Sequence, residues 1–133
     1  MNELKDISNR EDVKLLVNTF YDKVRNDELL SPVFLKRIPD ANAWPHHLDI
    51  MTNFWETVLF AKAAYRGNPF PKHIGLFIEA THFDRWIDLF HQTVDNLFKG
   101  SKAEEAKDRA VKMRQLFEIK LQQSGENPLK HLV

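Results

Sequence analysis

The stretch Trp44-Pro45-His46-His47-Leu48 decides the fold of this chain. It opens a long helical pattern, because proline is tolerated in the first turn of a helix and apolar residues then recur every three or four positions. A further histidine, His73, follows a loop that contains Pro69 and Pro71. If the imidazoles of His47 and His73 face one apolar cavity, the surrounding helices would form the walls of a pocket for a flat, metal-bearing cofactor.

The helix that starts in this stretch is predicted over residues 42–63. Two neighbouring apolar stripes run along it: Trp44, Leu48, Met51, Trp55 and Val58 form one, and His47, Met51, Phe54 and Val58 form the other. His46 is turned by roughly 100° from His47 around the helix and is expected to be more exposed. A histidine on an apolar face is more often a hydrogen-bonded core residue than a ligand or a gate, so the spacing alone leaves the role of His47 open.

An earlier helix is predicted from Ser8 to about residue 26. Ser8 and Glu11 have the spacing of a capping box, in which each side chain bonds to the other residue's backbone N–H. The buried face of this helix includes Phe20, and Tyr21 lies at the edge of that face. The ordinary interpretation of Tyr21 is a boundary residue whose ring is buried and whose hydroxyl is in water.

Two more long helices are predicted after the proline-bearing loop. One spans about residues 81–99, carries Trp86 on its buried face and ends at Gly100. The other spans residues 101–123 and starts with a second capping box, formed by Ser101 and Glu104. Together with short helical turns between the prolines at positions 32 and 39, these elements predict an all-α fold.

Length and charge indicate one domain and narrow the range of partners. The 133 residues, 43% of them hydrophobic, suffice for a single domain over 1–133, and residues 1–7 and 125–133 are expected to be flexible ends. Nineteen basic and nineteen acidic residues give a formal net charge of zero, so neither nucleic acid nor a membrane surface is an expected partner. The first residues lack an apolar signal core, which predicts a cytoplasmic location.

The chain has no cysteine, and this restricts how a metal or cofactor can be held. Thiolate ligands and covalent haem attachment through a Cys-x-x-Cys-His motif are excluded. A helical protein that uses its histidines for a simple metal, or for none, remains open, because Glu79 and His82 form one Glu-x-x-His pair. A di-metal helical bundle needs two such pairs, and the sequence contains no second copy.

Taken jointly, the spacing of these residues resembles that of the group III truncated haemoglobins of bacteria. The resemblance covers nearly the whole chain and is carried by Phe20-Tyr21, His47, Asn53-Phe54-Trp55, residues 65–73 and Trp86. It implies a truncated globin fold, in which a two-over-two helical sandwich encloses one non-covalently bound haem b, iron protoporphyrin IX. His73 matches the proximal ligand of the iron in that family.

The resemblance also assigns the remaining site residues. Phe20, Met51, Phe54 and Trp86 would line the haem. Lys72 and Arg66 are candidates for pairing with the propionates because they are close to His73 in sequence. Tyr21, His47 and Trp86 would be the catalytic residues on the distal side, where each can donate a hydrogen bond to bound oxygen. His47 would either donate or swing outward as a gate.

The implied function is binding of oxygen and related diatomic ligands at a five-coordinate iron, in the detoxification of nitric oxide or of reactive oxygen and nitrogen species. A nitric oxide dioxygenase would need a reductase partner, and a peroxidase-like activity is an alternative. A non-enzymatic module for oxygen binding and storage is another alternative. The protein is expected to be a monomer or a weak dimer.

Overall fold

The computed structural model describes residues 3–61 and 80–123, and within them every regular element is helical, which confirms the predicted all-α class. The elements are α1 (Arg10–Arg25), α2 (Ser31–Arg37), a 3₁₀ helix (Ala41–Ala43), α3 (Trp44–Phe60), α4 (Ala80–Leu97) and α5 (Ser101–Gln123). The predicted loop 65–73 and the predicted flexible end 125–133 lie outside the described residues.

The four long helices form two layers around one core. Helix α1 packs against α3, α4 packs against α5, and contacts between α1 and α4 and between α3 and α5 join the two pairs. Apolar side chains from all four helices are buried where the layers meet, among them Phe20, Trp55, Phe90 and Ala106. This arrangement is the predicted sandwich of two helices over two.

The N-cap of helix α1 lies one residue later than the sequence predicted. Asn9 is the N-cap, and its Oδ1 accepts a hydrogen bond from the backbone N–H of Asp12 at 2.9 Å. The carboxylate of Asp12 accepts bonds of 2.9 Å from both the N–H and the hydroxyl of Ser8. The predicted capping box of Ser8 and Glu11 is therefore wrong in register, because the carboxylate that turns back toward the cap belongs to the buried Asp12 rather than to the exposed Glu11.

Helix α3 also begins later than residue 42, its predicted start. The side chain of Asp40 accepts a hydrogen bond of 2.9 Å from the N–H of Asn42 and starts a single 3₁₀ turn instead. The α-helix then starts at Trp44 with Pro45 in its first turn, where the missing N–H of proline has no intrahelical partner to lose. It ends before Ala61, whose φ of 56° is left-handed, so the predicted end at residue 63 was too late.

The start of α5 is capped by a residue from the far end of the chain. The carboxylate of Asp6 accepts hydrogen bonds from the N–H groups of Lys102 at 3.0 Å and Ala103 at 2.9 Å. Gly100 has a φ of 146°, and a Cβ at this position would lie 2.5 Å from Cγ of Asp6, so glycine permits the close approach. The predicted capping box of Ser101 and Glu104 is corrected accordingly, because Ser101 is already the first helical residue.

The same contacts show that residues 5–7 are held in place, although residues 1–7 were predicted to form a flexible end. Ile7 is only 2% exposed and belongs to the core, and the carbonyl of Lys5 accepts a hydrogen bond of 2.9 Å from the N–H of Lys99. Residues 5–7 are therefore held against the α4–α5 corner by one buried side chain and two sets of hydrogen bonds. No local sequence pattern indicates these contacts, because the partners are more than 90 positions away.

Replacing Asp6 with Ala should lower the free energy of unfolding by about 1–2 kcal/mol, because two N–H groups in the first turn of α5 lose the carboxylate that caps them. Burial disfavours the charged carboxylate, but hydrogen bonds from Lys102 and Ala103 outweigh it and hold the pKa of Asp6 below its ordinary value. The stabilisation is therefore present above the unfolded-state pKa and is lost as pH falls through the folded-state pKa. Urea unfolding at about pH 7 and about pH 3 should show a smaller deficit of the variant at the lower pH.

The matched control for this variant is Glu3→Ala, which removes an exposed carboxylate from the same segment. It should leave the urea midpoint unchanged at both pH values. An equal deficit of Asp6→Ala at the two pH values would show that the ionised carboxylate does not stabilise α5.

Candidate functional site

The site is built around Phe20 on α1. Its ring makes edge contacts with the rings of Tyr21 at 4.9 Å, Trp86 at 5.5 Å and Phe90 at 5.1 Å between centroids. Phe20 is 1% exposed, so these contacts lie in the core. The adjacent position Tyr21 continues the cluster toward α3, and Trp86 continues it along α4. The structure thus brings together three of the residues that the sequence had assigned to the site.

Tyr21 is fully buried and does not lie at a boundary. It is 2% exposed, and its ring is packed edge-on against the imidazole of His47, with 5.4 Å between centroids. The interpretation of a ring in the core with its hydroxyl in water is wrong, because α3 and α2 cover the side of α1 on which Tyr21 lies. Burial raises the pKa of Tyr21 above its ordinary value, so the hydroxyl stays protonated and remains a hydrogen-bond donor at physiological pH.

His47 lies on α3, and its ring contacts two aromatic side chains. Tyr21 and Trp44 each stand nearly perpendicular to the imidazole, at interplanar angles of 84° and 88° and centroid distances of 5.4 Å. The residue as a whole is half-buried, whereas its Nε2 atom is shielded from solvent. His46 is exposed, as the helical periodicity predicts.

Trp86 lies on α4 and reaches the cluster from the other layer. It is 4% exposed, stacks on Phe90 at 5.8 Å with an interplanar angle of 12°, and has its indole Nε1 shielded from solvent. The neighbouring Arg85 fixes this part of α4, because its guanidinium binds the buried carboxylate of Asp27 at 2.7 Å. Burial opposes the charge of Asp27, but the bond from Arg85 outweighs it and lowers the pKa of Asp27.

The other assigned residues are placed as follows. Met51 is 3% exposed and Phe54 9% exposed, so both face inward from α3 as predicted, and Phe54 contacts Trp55 edge-on at 5.6 Å. Lys72 and His73 lie outside the described residues. Their assigned roles, propionate pairing and iron ligation, stay predictions.

The structure adds Trp44 to the site and shows that the histidine of the Glu-x-x-His pair is buried elsewhere on α4. Trp44 contacts His47 directly, and the signal for it was its position three residues earlier on the same helix, where side chains meet. His82, in the first turn of α4, is 8% exposed, and its Nδ1 makes no hydrogen bond within the described part of the chain. Its predicted metal partner Glu79 lies outside the described residues.

The donor set suits a small ligand on a flat macrocycle better than a simple metal. A phenol on α1 and an indole on α4 belong to one buried apolar cluster, an imidazole on α3 packs against the phenol, and aromatic rings can line a planar group. Within residues 3–61 and 80–123, no three His, Cys, Asp or Glu side chains come together as a metal site. Among the described helices, none has the length and apolarity needed to cross a membrane.

Comparisons with known proteins agree with this geometry. A family model described as bacterial-like globin matches residues 4–122. The group 3 truncated hemoglobin ctb of Campylobacter jejuni is 29% identical over 119 residues, which are 88% of this chain and 94% of the relative. The crystal structure of a group III truncated hemoglobin from Campylobacter jejuni matches this chain with a TM-score of 0.80 and 27% sequence identity. The matched region covers 90% of this chain and 95% of the Campylobacter chain. The resemblance to group III truncated haemoglobins and the truncated globin fold are both confirmed.

Proposed function

Because the chain belongs to the bacterial-like globin family, we propose that it binds one haem b without a covalent link and takes up oxygen and other diatomic ligands there. The observation that carries the proposal is that the buried Tyr21 and Trp86 and the half-buried His47 offer donor groups from three helices around one aromatic cluster. We assign His73 as the iron ligand, Lys72 as the partner of a propionate, and Phe20, Met51 and Phe54 as walls of the haem pocket.

When bound, the haem supplies an iron that coordinates a diatomic ligand and exchanges electrons with it. The chain's own residues determine how firmly that ligand is held. The hydroxyl of Tyr21 and the indole N–H of Trp86 can each donate to a ligand that becomes partly anionic, and His47 can add a third donor. Each hydrogen bond is stronger in a pocket shielded from water, because the local dielectric constant is low.

Such a pocket should release oxygen slowly, which is a disadvantage for a carrier and an advantage for a detoxifying protein. We therefore propose that the protein removes nitric oxide. In the balanced reaction, one nitric oxide, one dioxygen and one electron give one nitrate ion, and a reductase partner supplies the electron. The buried, protonated Tyr21 supports this proposal because it can hold oxygen until nitric oxide arrives.

The test combines haem uptake with nitric oxide consumption. Titration with haem, followed by absorption, should saturate at one haem per chain, and the air-equilibrated, reduced protein should convert added nitric oxide to nitrate. His73→Ala should lose or change the haem spectrum and abolish the conversion, because the iron loses its protein ligand. His46→Ala is the matched control, since it removes an exposed imidazole and should behave like the wild type in both assays.

The outcomes separate the competing functions. Saturable haem uptake without nitrate formation would reject nitric oxide removal and favour oxygen storage, and a peroxide-dependent oxidation of added phenols would favour a peroxidase. A failure of the wild type to bind haem stoichiometrically would reject the haem proposal altogether.

A further inference from the structure

The buried carboxylate of Asp27 joins three helices. Asp27 lies two residues beyond the end of α1, and its side chain is only 6% exposed. Its Oδ2 atom accepts hydrogen bonds from the backbone N–H groups of Leu29 at 3.1 Å and Leu30 at 3.0 Å, where α2 begins. Its Oδ1 atom accepts a hydrogen bond of 2.7 Å from the guanidinium of Arg85 on α4. The bonds from α2 hold the carboxylate in place, so it is a fixed acceptor for the guanidinium.

The ion pair of Arg85 with Asp27 restrains the part of α4 that carries Trp86. Both Nε and Nη2 of Arg85 lie 2.7 Å from Oδ1 of Asp27, and a hydrogen bond between two ionised groups is about twice as strong as one between neutral groups. Arg85 directly precedes Trp86 in the same helical turn. A rotation or shift of α4 that moves the indole therefore also disturbs the contact between the guanidinium and the carboxylate.

The ring contacts of Trp86 are less directional than this ion pair. Its ring stacks on Phe90 at 5.8 Å and meets Phe20 edge-on at 5.5 Å. Such contacts are favourable over centroid distances of about 4.5–7 Å, so the rings can slide without losing them. A hydrogen bond from the indole Nε1 to a ligand tolerates less movement, because its strength falls steeply as the donor angle departs from linearity. Burial of Trp86 therefore does not by itself fix the direction of its donor.

We propose that Asp27 and Arg85 are positioning residues that hold the indole N–H of Trp86 in the orientation that retains a diatomic ligand on the haem. The inference deepens the proposed function and rests on it, because the ligand is the one that the haem would bind. Arg85 acts through the backbone of α4, and Asp27 acts through Arg85. Oxygen retention therefore depends on a carboxylate that is not itself a donor to the ligand.

Replacing Asp27 with Asn should accelerate oxygen dissociation by roughly 2- to 12-fold, the equivalent of one neutral hydrogen bond. An amide has one carbonyl oxygen, so its NH₂ group would face either the N–H groups at the start of α2 or the guanidinium of Arg85, all of which are donors. The side chain of Arg85 is 42% exposed, so water can solvate the released charge.

A second variant weakens the ion pair from the other side. Arg85→Lys keeps the positive charge but loses the contact through two nitrogens, so its oxygen dissociation rate should lie between those of the wild type and Asp27→Asn. Arg85→Gln is less suitable, because it would leave the buried carboxylate of Asp27 without its cation.

The experiment measures oxygen dissociation and the infrared stretch of bound carbon monoxide in the haem-loaded variants. The stretch reports on donors near the ligand, so it should shift in Asp27→Asn if the indole has moved, whereas a loss of stability alone would leave it unchanged. In a Trp86→Phe background, Asp27→Asn should cause no further change in either readout, because the donor that it positions is absent. In a Tyr21→Phe background, the full effect should remain.

Asp84→Asn is the matched control, because Asp84 directly precedes Arg85 and forms another ion pair of α4, at 2.8 Å from Arg114 of α5. The side chain of Asp84 is 59% exposed, so this pair should contribute little to the position of α4. The control should show the oxygen dissociation rate and the carbon monoxide stretch of the wild type.

The outcomes separate this inference from the proposed function. Wild-type values in a haem-loaded Asp27→Asn would overturn the inference and leave the proposed function intact. An equal change in Asp84→Asn, or a change that persists in the Trp86→Phe background, would also overturn it. If Asp27→Asn fails to hold haem, Arg85→Lys decides the matter, and a wild-type rate and stretch in that variant would overturn the inference. A wild type without haem would instead reject the proposed function.

Discussion

Replacing Tyr21 with Phe should accelerate oxygen dissociation from the haem-loaded protein by roughly 10- to 100-fold, which is the effect of losing a hydrogen bond to a partly charged acceptor. Tyr21 is fully buried, and burial raises the pKa of its hydroxyl above the ordinary value, so the donor proton is retained at any physiological pH. The ring contacts with Phe20 and His47 do not involve the hydroxyl, so phenylalanine should keep the same position.

Oxygen dissociation can be measured by stopped-flow mixing of the oxygenated protein with excess carbon monoxide. Thr19→Val is the matched control, because it removes a hydroxyl of the same helix that is half-buried and lies outside the aromatic cluster. That variant should release oxygen at the wild-type rate. An unchanged rate in Tyr21→Phe would assign oxygen retention to Trp86 and His47 instead and would remove the main support for slow release.

The helical periodicity predicted the interior of each helix well and the ends less well. Phe20, Met51 and Phe90 are buried as predicted, because a repeat of three to four residues specifies which side of a helix is apolar. The ends depend on caps, and the cap of α5 comes from Asp6, at the other end of the chain. A pattern read within one helix contains no information about such a partner.

A pattern within one helix also could not predict the burial of Tyr21 or the contact between Trp44 and His47. The sequence placed Tyr21 at the edge of a face because its neighbours on α1 are mixed, whereas its burial results from Trp44 and His47 on α3. Trp44 was assigned to a core stripe, and only the packing shows that its ring contacts His47. Burial and ring contacts are tertiary properties, so single-helix reasoning finds the residues and misses their arrangement.

Replacing Phe90 with Ala should lower the free energy of unfolding by about 3–5 kcal/mol, the range for removing a large aromatic side chain from a core. Phe90 has no exposed surface, and its ring stacks on Trp55 at 4.9 Å and Trp86 at 5.8 Å while Phe20 meets it edge-on. These partners come from α1, α3 and α4. Removal of the ring would therefore leave a cavity where the two helix layers meet and would weaken their packing. Urea unfolding at one fixed haem concentration measures the loss.

The matched control is Leu15→Ala, at a half-exposed position of α1, which should change the free energy of unfolding by less than about 0.5 kcal/mol. A loss below about 1 kcal/mol in Phe90→Ala would mean that the surrounding rings collapse into the space and that the layers do not depend on this contact.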